Sequence, residues 1–539
     1  MCVATLLCLA PFVNKAFNID EPLFVWSAKH IVGHPLDPYG FSVNWYGRVQ
    51  QMSLVMKNPP VGSYYLALAG SVAGWSEAAL HIAMLIAAIA AVLGTYLLAA
   101  RLCGKPLEAA LATLFTPVFL VSSSTVMCDT MMLALFVWAA LVWLIGLDRR
   151  KWGYLALSAF MIGICALTKY YGAVLLPLLL GYTVVRERKL GWWAANFLIT
   201  VAILTVYQLV TKHLYGHGLL SDASAYATSF KHTPAGEYFP KALVGLSYTG
   251  GCLAIVLFYA ARLWSRKWLL VGAVAVLAAI AALSGVSRLG STPMGSAGST
   301  DWTVIRQAGL MIVLGCSVLA LAISDFTARR DPESVLLALW VIGTYVFASF
   351  VNWTVNGRSI LPMAPAVGIL LVRRVEWMAV DARRRPVWLS VAPLAAAGIL
   401  ALTVTWSDFA WANSIRDAAR QVKAQYAGSA KTVWFEGHWG FQYYMEPLGF
   451  KAVDYWASGL SPGDIVVVSV NNTNIRDLPE DASELRDTMK LGGGRLLTTA
   501  SMKARAGFYC NDYGPLAYAF GTVPADEYRV YDIIVPANR

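Results

Sequence analysis

The chain alternates long apolar runs with short charged turns. The runs occupy Leu80–Ala100, Leu107–Val126, Thr130–Leu147, Gly153–Leu167, Tyr171–Val185, Gly191–Val210, Leu243–Ala261, Trp268–Leu283, Val304–Ile323, Val335–Phe350, Ile360–Val372 and Val387–Trp406, with a shorter one at Met1–Phe17. A stretch of about twenty apolar residues reads as a helix that crosses a bilayer. The pattern therefore predicts an all-α polytopic membrane protein of about thirteen transmembrane helices over 1–406. Its first outer loop, 18–78, is long and rich in Pro, Trp and Tyr, which suits a structure lying on the membrane interface. From Ser407 the pattern changes. Lys431–Glu436, Asp464–Val470 and Tyr528–Val535 read as buried strands, and Arg416–Gln425 and Ala482–Lys490 as helices. Residues 407–539 are thus expected to form a small C-terminal α/β domain.

Composition agrees with this reading: 58% of residues are hydrophobic and 14% charged, far from the balance of a soluble domain. The net charge of +11 is not a nucleic-acid signal. Lys and Arg gather in alternate turns between the runs, at least two in each, as cytoplasmic loops require. That asymmetry predicts a cytoplasmic N-terminus, an extracytoplasmic C-terminal domain and a multi-pass protein of the cell (inner, cytoplasmic) membrane. Met1–Phe17 has no basic n-region and no A-x-A cleavage site, so it reads as a span, short for the bilayer or begun upstream, and not as a cleaved signal peptide. The cysteines form no CxxC and no disulfide framework.

With this topology the unusual polar residues fall on the outer face: Asp20, Glu21, Lys57, Asp129, Lys169, Arg358 and all seven histidines. The inner face holds ordinary basic turns. Two adjacent carboxylates, Asp20-Glu21, at the water edge of a membrane helix are expensive to place and usually functional. Asp129 opens an apolar run, where it serves as a helix N-cap, a second site carboxylate, or both. Lys169 either snorkels to the interface or awaits an anion such as a lipid phosphate. Arg358 either anchors its span or grips phosphate bidentately, and Lys57 is a third candidate cation. His30 and His34, and His213 and His217, have metal-ligand spacing without a fixed carboxylate partner, which leaves a divalent metal open and calls for no cofactor. Cations beside a carboxylate on one membrane face fit a lipid-phosphate-linked donor, whose phosphate the cations hold as leaving group while the carboxylate deprotonates an acceptor hydroxyl.

Ile19-Asp20-Glu21-Pro22, Lys57-Asn58-Pro59-Pro60, Cys128-Asp129, Ala166-Leu167-Thr168-Lys169-Tyr170 and Arg358-Ser359-Ile360-Leu361-Pro362 occur in the order found in one family. Over roughly Met1–Trp406 the chain resembles the GT-C fold membrane glycosyltransferases, specifically the protein O-mannosyltransferase and aminoarabinose-transferase-like superfamily (glycosyltransferase family 39 type). The resemblance implies a hexosyl or pentosyl transferase. It would move a sugar, with inversion, from a polyprenyl-phosphate donor to a lipid, glycan or protein acceptor at the extracytoplasmic face. It makes Asp20 the general base, Glu21 a neighbour shaping the site, Asp129 the second acidic position, and Lys57, Lys169 and Arg358 donor-phosphate contacts. The chain lacks the glutamate that some members carry just before the lysine matched by Lys57, and its tail is not the sugar-binding module of eukaryotic protein mannosyltransferases. The alternative is a transporter or flippase of a lipid-linked sugar. Transporters tend to place ionisable groups near the midplane in inverted repeats, whereas here these groups sit at span ends and no repeat is visible. A non-catalytic scaffold displaying its tail is a third reading.

Overall fold

A computed structural model describes residues 1–229, 237–295, 301–379, 388–426, 428 and 431–538. His232, the Arg383-Arg384-Arg385 turn, Val387 and part of the Ser/Gly-rich loop before Asp301 lie outside the described residues. The described chain is a helical bundle with a mixed sheet at its C-terminal end. Among the described residues seven helices are long and apolar enough to cross a membrane, and up to nine spans result if each of two bent pairs crosses once. The expected count of thirteen is not reached on those criteria. Two expected spans are the bent pairs: Pro106–Leu114 with Pro117–Ser123, at 65°, and Tyr238–Cys252 with Ile255–Leu263, at 87°. In the first pair, Pro117 ends the preceding helix and starts the next, capped by Thr116, whose hydroxyl accepts the Phe119 N–H at 3.3 Å. The expected runs Met1–Phe17 and Gly153–Leu167 are short helical segments, Cys2–Phe12 and Trp152–Thr168.

Asp129–Arg149 is the bundle's most enclosed span, 72% buried, whereas Arg266–Leu283 is 6% buried and lies at the periphery. The basic turns are partly ion-paired. Asp148 binds both Arg101 and Arg186. Arg373, which follows the expected run Ile360–Val372, is buried within the Ala364–Ala379 helix, its Nε donating to Asp325 at 3.0 Å. A buried guanidinium needs such partners, since an unpaired charge is costly in the interior.

The first outer loop is ordered throughout. It holds the helix Glu21–Gly33, a hairpin of Ser42–Asn44 with Val49–Gln51, and the helices Met52–Val55 and Val61–Ala73. In the tail, five strands lie in the order Lys451–Ala452, Val433–Glu436, Ile465–Ser469, Asp526–Ile533, Ser483–Leu491. The three expected strands are present, and the all-buried Ile465–Ser469 is central. Two expectations need correction. Ala482–Lys490, read as a helix, is an edge strand antiparallel to Asp526–Ile533. Its Glu484, Arg486, Asp487 and Lys490 are exposed charges that suit a sheet edge as well as a helix face, and pairing to a long partner decides the outcome. Arg416–Gln425 is no separate helix, because Trp388–Tyr426 runs unbroken past Trp406.

The N-terminal segment, this long helix and the tail meet at one buried ion pair. Lys15 Nζ donates to Asp408 Oδ2 at 2.5 Å, with both side chains 1% exposed. Asp408 also accepts the hydroxyls of Thr499 at 2.7 Å and Tyr509 at 2.9 Å. Lys15→Met leaves that carboxylate buried without its cation and is expected to cost about 3–5 kcal/mol. The unfolding midpoint of detergent-solubilised protein should fall clearly, and Lys15→Met/Asp408→Leu should recover part of the loss. An unchanged midpoint for the single variant would contradict this role.

Candidate active site

Asp20 sits where the chain leaves the first helical segment and turns into Glu21–Gly33. The turn is strained: Ile19, a β-branched residue, has φ of 51° in the left-handed region. Glu21 holds it there. Its carboxylate accepts the Asn18 N–H at 2.7 Å and, through the other oxygen, the Val126 N–H at 2.8 Å. Glu21 is 1% exposed, while Asp20 keeps 27% of its side chain exposed. The same two hydrogen bonds tie the Asp20 turn to the segment that leads into Asp129.

Asp129 is the first residue of its helix, one position inside the Cys128 cap, and so is not itself the N-cap. It is fully enclosed and forms an ion pair with Lys169. Arg358, from the short helix Gly357–Ile360, bridges the two aspartates. Its Nη2 lies 2.9 Å from Asp20 Oδ2 and its Nη1 3.9 Å from Asp129 Oδ2. Five side chains from distant parts of the chain therefore meet: Asp20, Asp129, Lys169 and Arg358 in one ionic chain, and Lys57 across a cavity from it. Among the described residues Lys57 has no ion pair, and its ammonium lies 5.5 Å from the Tyr226 ring centre. Burial pulls that ammonium below its ordinary value, with Asp222 opposing. A bound anion would relieve the same penalty.

Two cavities share this centre. One, of about 390 Å³, is lined by Asp20, Lys57, Lys169 and Arg358 together with Tyr170 and Asn352. The other, of about 600 Å³, is lined by Asp20 and Arg358 on the membrane side and by the tail on the other. Trp45, Tyr46, Tyr226 and Trp353 line both. These aromatics are the residues that sequence reasoning missed. Trp45 and Tyr46 belong to the Trp- and Tyr-rich first outer loop expected at the membrane interface, but nothing in the pattern separates a membrane anchor from a cavity wall.

The tail fixes the geometry in two places. Gly47, at the hairpin turn with φ of 71°, donates its N–H to His438 Nε2 at 3.1 Å, and a Cβ there would strike the Tyr455 ring. Asn511 accepts the Thr354 hydroxyl at 2.7 Å and the Val355 N–H at 2.8 Å, and the Gly357 N–H donates to the Phe508 carbonyl at 2.7 Å. The backbone immediately before Arg358 is thus held by the tail.

The His30 and His34 rings stack at 4.4 Å, and His217 pairs with Asp222 at 2.5 Å. Among the described residues, no three His, Cys, Asp or Glu side chains gather as a metal site.

Fold and site together define a class: a polytopic membrane protein with cations and one reachable carboxylate at the end of its spans. Residues 57–215 match the family model described as dolichyl-phosphate-mannose-protein mannosyltransferase. That stretch, which includes Lys57, Asp129 and Lys169, is similar to membrane glycosyltransferases, as the sequence motifs imply. Among solved structures the chain is similar to the apo oligosaccharyltransferase of Archaeoglobus fulgidus (TM-score 0.48, 14% identity, covering 86% of this chain and 65% of that one). It is also similar to ArnT from Cupriavidus metallidurans bound to undecaprenyl phosphate (TM-score 0.39, 14% identity, 87% and 91%). A third is the arabinofuranosyltransferase AftD from Mycobacteria (TM-score 0.38, 13% identity, 99% and 39%). The chain spans about two thirds of the length of the oligosaccharyltransferase. No curated protein matches.

Burial pushes the Glu21 carboxyl up to about 7, against the nearby Lys15 and the two backbone N–H groups. The native state then holds a proton that the unfolded chain releases near pH 4.3. The stability from this group is full below about pH 4 and is lost as pH rises through about 7. The unfolding midpoint should fall between about pH 5 and about pH 8, and Glu21→Gln should flatten that slope. An equal slope in the variant would contradict this assignment.

Proposed function

We propose that this protein transfers a sugar, with inversion, from a polyprenyl-phosphate donor to an acceptor hydroxyl at the extracytoplasmic face of the cell membrane. The observation that carries the reading is the position of Asp20, the carboxylate shared by a cavity that three cations line and a second cavity on its other side. The match of residues 57–215 to the mannosyltransferase family model supports it. So does charge. Lys57, Lys169 and Arg358 against Asp20 and Asp129 leave one net positive charge, the complement of a phosphodiester that carries one negative charge.

In this reading the donor phosphate enters the smaller cavity and meets Lys57, Lys169 and Arg358. Arg358 turns part of its fork from Asp20 to the phosphate, a bidentate grip that lysine cannot reproduce. Asp20 accepts the proton of the acceptor hydroxyl as its oxygen attacks the anomeric carbon from the face opposite the phosphate. The carbon–oxygen bond to phosphate breaks and its electron pair leaves on the phosphate, where the cations stabilise the added charge. One displacement inverts the anomeric centre. Asp129 holds Lys169 and Arg358 in place from behind, and Glu21 holds the Asp20 turn, so both act through their neighbours.

The excess of Lys and Arg in alternate turns supports a cytoplasmic N-terminus and a site on the opposite face. The tail, 407–539, then lies outside the membrane, where it fixes Arg358 and closes the second cavity. Transport of a lipid-linked sugar without chemistry explains less, because it leaves the carboxylate between two cavities without a task.

Asp20→Asn keeps the shape and removes the base. Transfer by purified protein given a polyprenyl-phosphate sugar and cell-envelope acceptors should fall by about 10²–10⁴-fold, with membrane insertion intact. Transfer at the wild-type rate would overturn the assignment, and movement of the lipid across sealed vesicles without covalent product would favour the transporter.

A further inference from the structure

We propose that the larger cavity is a carbohydrate site, so that the acceptor is a hydroxyl of a neutral sugar and not of a protein side chain or a charged lipid. This rests on the transferase reading above and adds the class of its second substrate.

Three features of the cavity carry the inference. The first is aromatic surface. Trp45, Tyr46, Trp353, Trp439 and Tyr513 line it, and Trp439 and Tyr513 lie with ring centres 6.0 Å apart and planes 33° from parallel. A pyranose or furanose ring has an apolar C–H face rimmed by hydroxyls. Flat aromatic faces cover the former, and nearby polar side chains meet the latter. Those polar groups come from the tail: Asn472, Thr473 and Asn474 lie on one loop after the central strand Ile465–Ser469.

The second feature is charge balance. The charged side chains lining the cavity are Asp20, Asp477 and Asp512 against Arg358, Arg476 and Arg529. With three of each sign the cavity is formally neutral. An acceptor bearing phosphates or a cationic headgroup gains nothing here, whereas mixed carboxylates and guanidinium groups are donors and acceptors for vicinal hydroxyls. The neighbouring cavity differs, since three of its four charged lining groups are cations.

The third is that, among the described residues, the long strands lining the cavity present no edge to a peptide. Two of the tail strands that reach the cavity, through Val468 on one and Arg529 and Tyr531 on the other, are interior strands of the five-stranded sheet, while Ala500 and Gly507 lie on two strands of only two residues each that pair with one another. Ile465–Ser469 is paired on both sides, and so is Asp526–Ile533. An extended peptide commonly binds by adding to a free edge, and the two long strands at the cavity offer none, while the two-residue pair is too short to template one. The volume of about 600 Å³ falls within the range of small-molecule sites, and it exceeds what one Ser or Thr hydroxyl fills.

Saturation-transfer NMR on the full-length protein in detergent tests this without turnover. The probes are the methyl glycosides of mannose, galactose, glucose, N-acetylglucosamine and arabinose, with glucose 6-phosphate and a Ser/Thr-rich peptide alongside. Saturation should reach the ring C–H protons of at least one neutral glycoside. It should fall about fivefold or more in Trp439→Ala and also in Asp512→Asn, a near-isosteric change, and Arg529→Gln, which shortens a side chain that is 42% exposed. Binding of polyprenyl phosphate should be unchanged in all three. Saturation of only the peptide or only the phosphorylated sugar, of no probe, or to the same extent in the variants would overturn the proposal. A glycoside that binds in this way while the protein forms no product from a lipid-linked sugar would instead defeat the transferase reading and leave the carbohydrate site standing.

Discussion

A guanidinium shared between two carboxylates is the constraint around which the bundle is arranged. Arg358 reaches Asp20 and Asp129 at once, and Lys169 covers the remaining face of Asp129. Each of these charges would cost several kcal/mol if enclosed alone. Together they are tolerated, but only if four segments far apart in the chain arrive at one point. The helix starting at Asp129, the end of the helix before Lys169, the turn at Ile19-Asp20 and the short helix at Gly357 are thereby fixed relative to one another. The strained Ile19 backbone and the buried Glu21 beneath it belong to the same requirement, since they aim Asp20 outward while its neighbour points in.

The tail is part of this assembly. Its sheet grips the outer hairpin at Gly47, its Asn511 holds the backbone that precedes Arg358, and its Tyr509 hydroxyl reaches the Asp408 carboxylate that neutralises Lys15. The consequence is a division of space. The cation-lined cavity sits among helix ends, and the neutral, aromatic cavity sits between the helices and the sheet, with Asp20 and Arg358 common to both. A reaction that joins a lipid-borne phosphosugar to a sugar hydroxyl needs two such compartments meeting at one base.

Much of the site was legible in the chain because charge in an apolar context is conspicuous. Asp20, Asp129, Lys169 and Arg358 each interrupt or bound an apolar run, Lys57 stands in the first outer loop, and the alternation of basic turns put them on one face. What could not be read was direction. Asp20 and Glu21 are adjacent and chemically alike, yet one faces a cavity and the other a backbone clamp, a difference set by the unusual φ at Ile19. Composition also misled where tertiary pairing decides. Glu484, Arg486 and Lys490 look like a solvated helix and form a sheet edge. Helix breaks at Pro117 and near Leu253 turned two expected spans into bent pairs, because hydropathy averages over a kink. The aromatics of the larger cavity are scattered from Trp45 to Tyr531 and share no common local pattern.

The most direct test is to locate the phosphorus of a polyprenyl phosphate bound to the full-length protein by electron cryo-microscopy. Its phosphate oxygens should lie in hydrogen-bond contact, about 2.7–2.9 Å, with Arg358 and with Lys57 or Lys169, in the smaller cavity, with Asp20 free to face the larger one. A phosphate bound elsewhere, with Arg358 still paired to Asp20 and Lys57 untouched, would contradict the shared centre on which everything above depends.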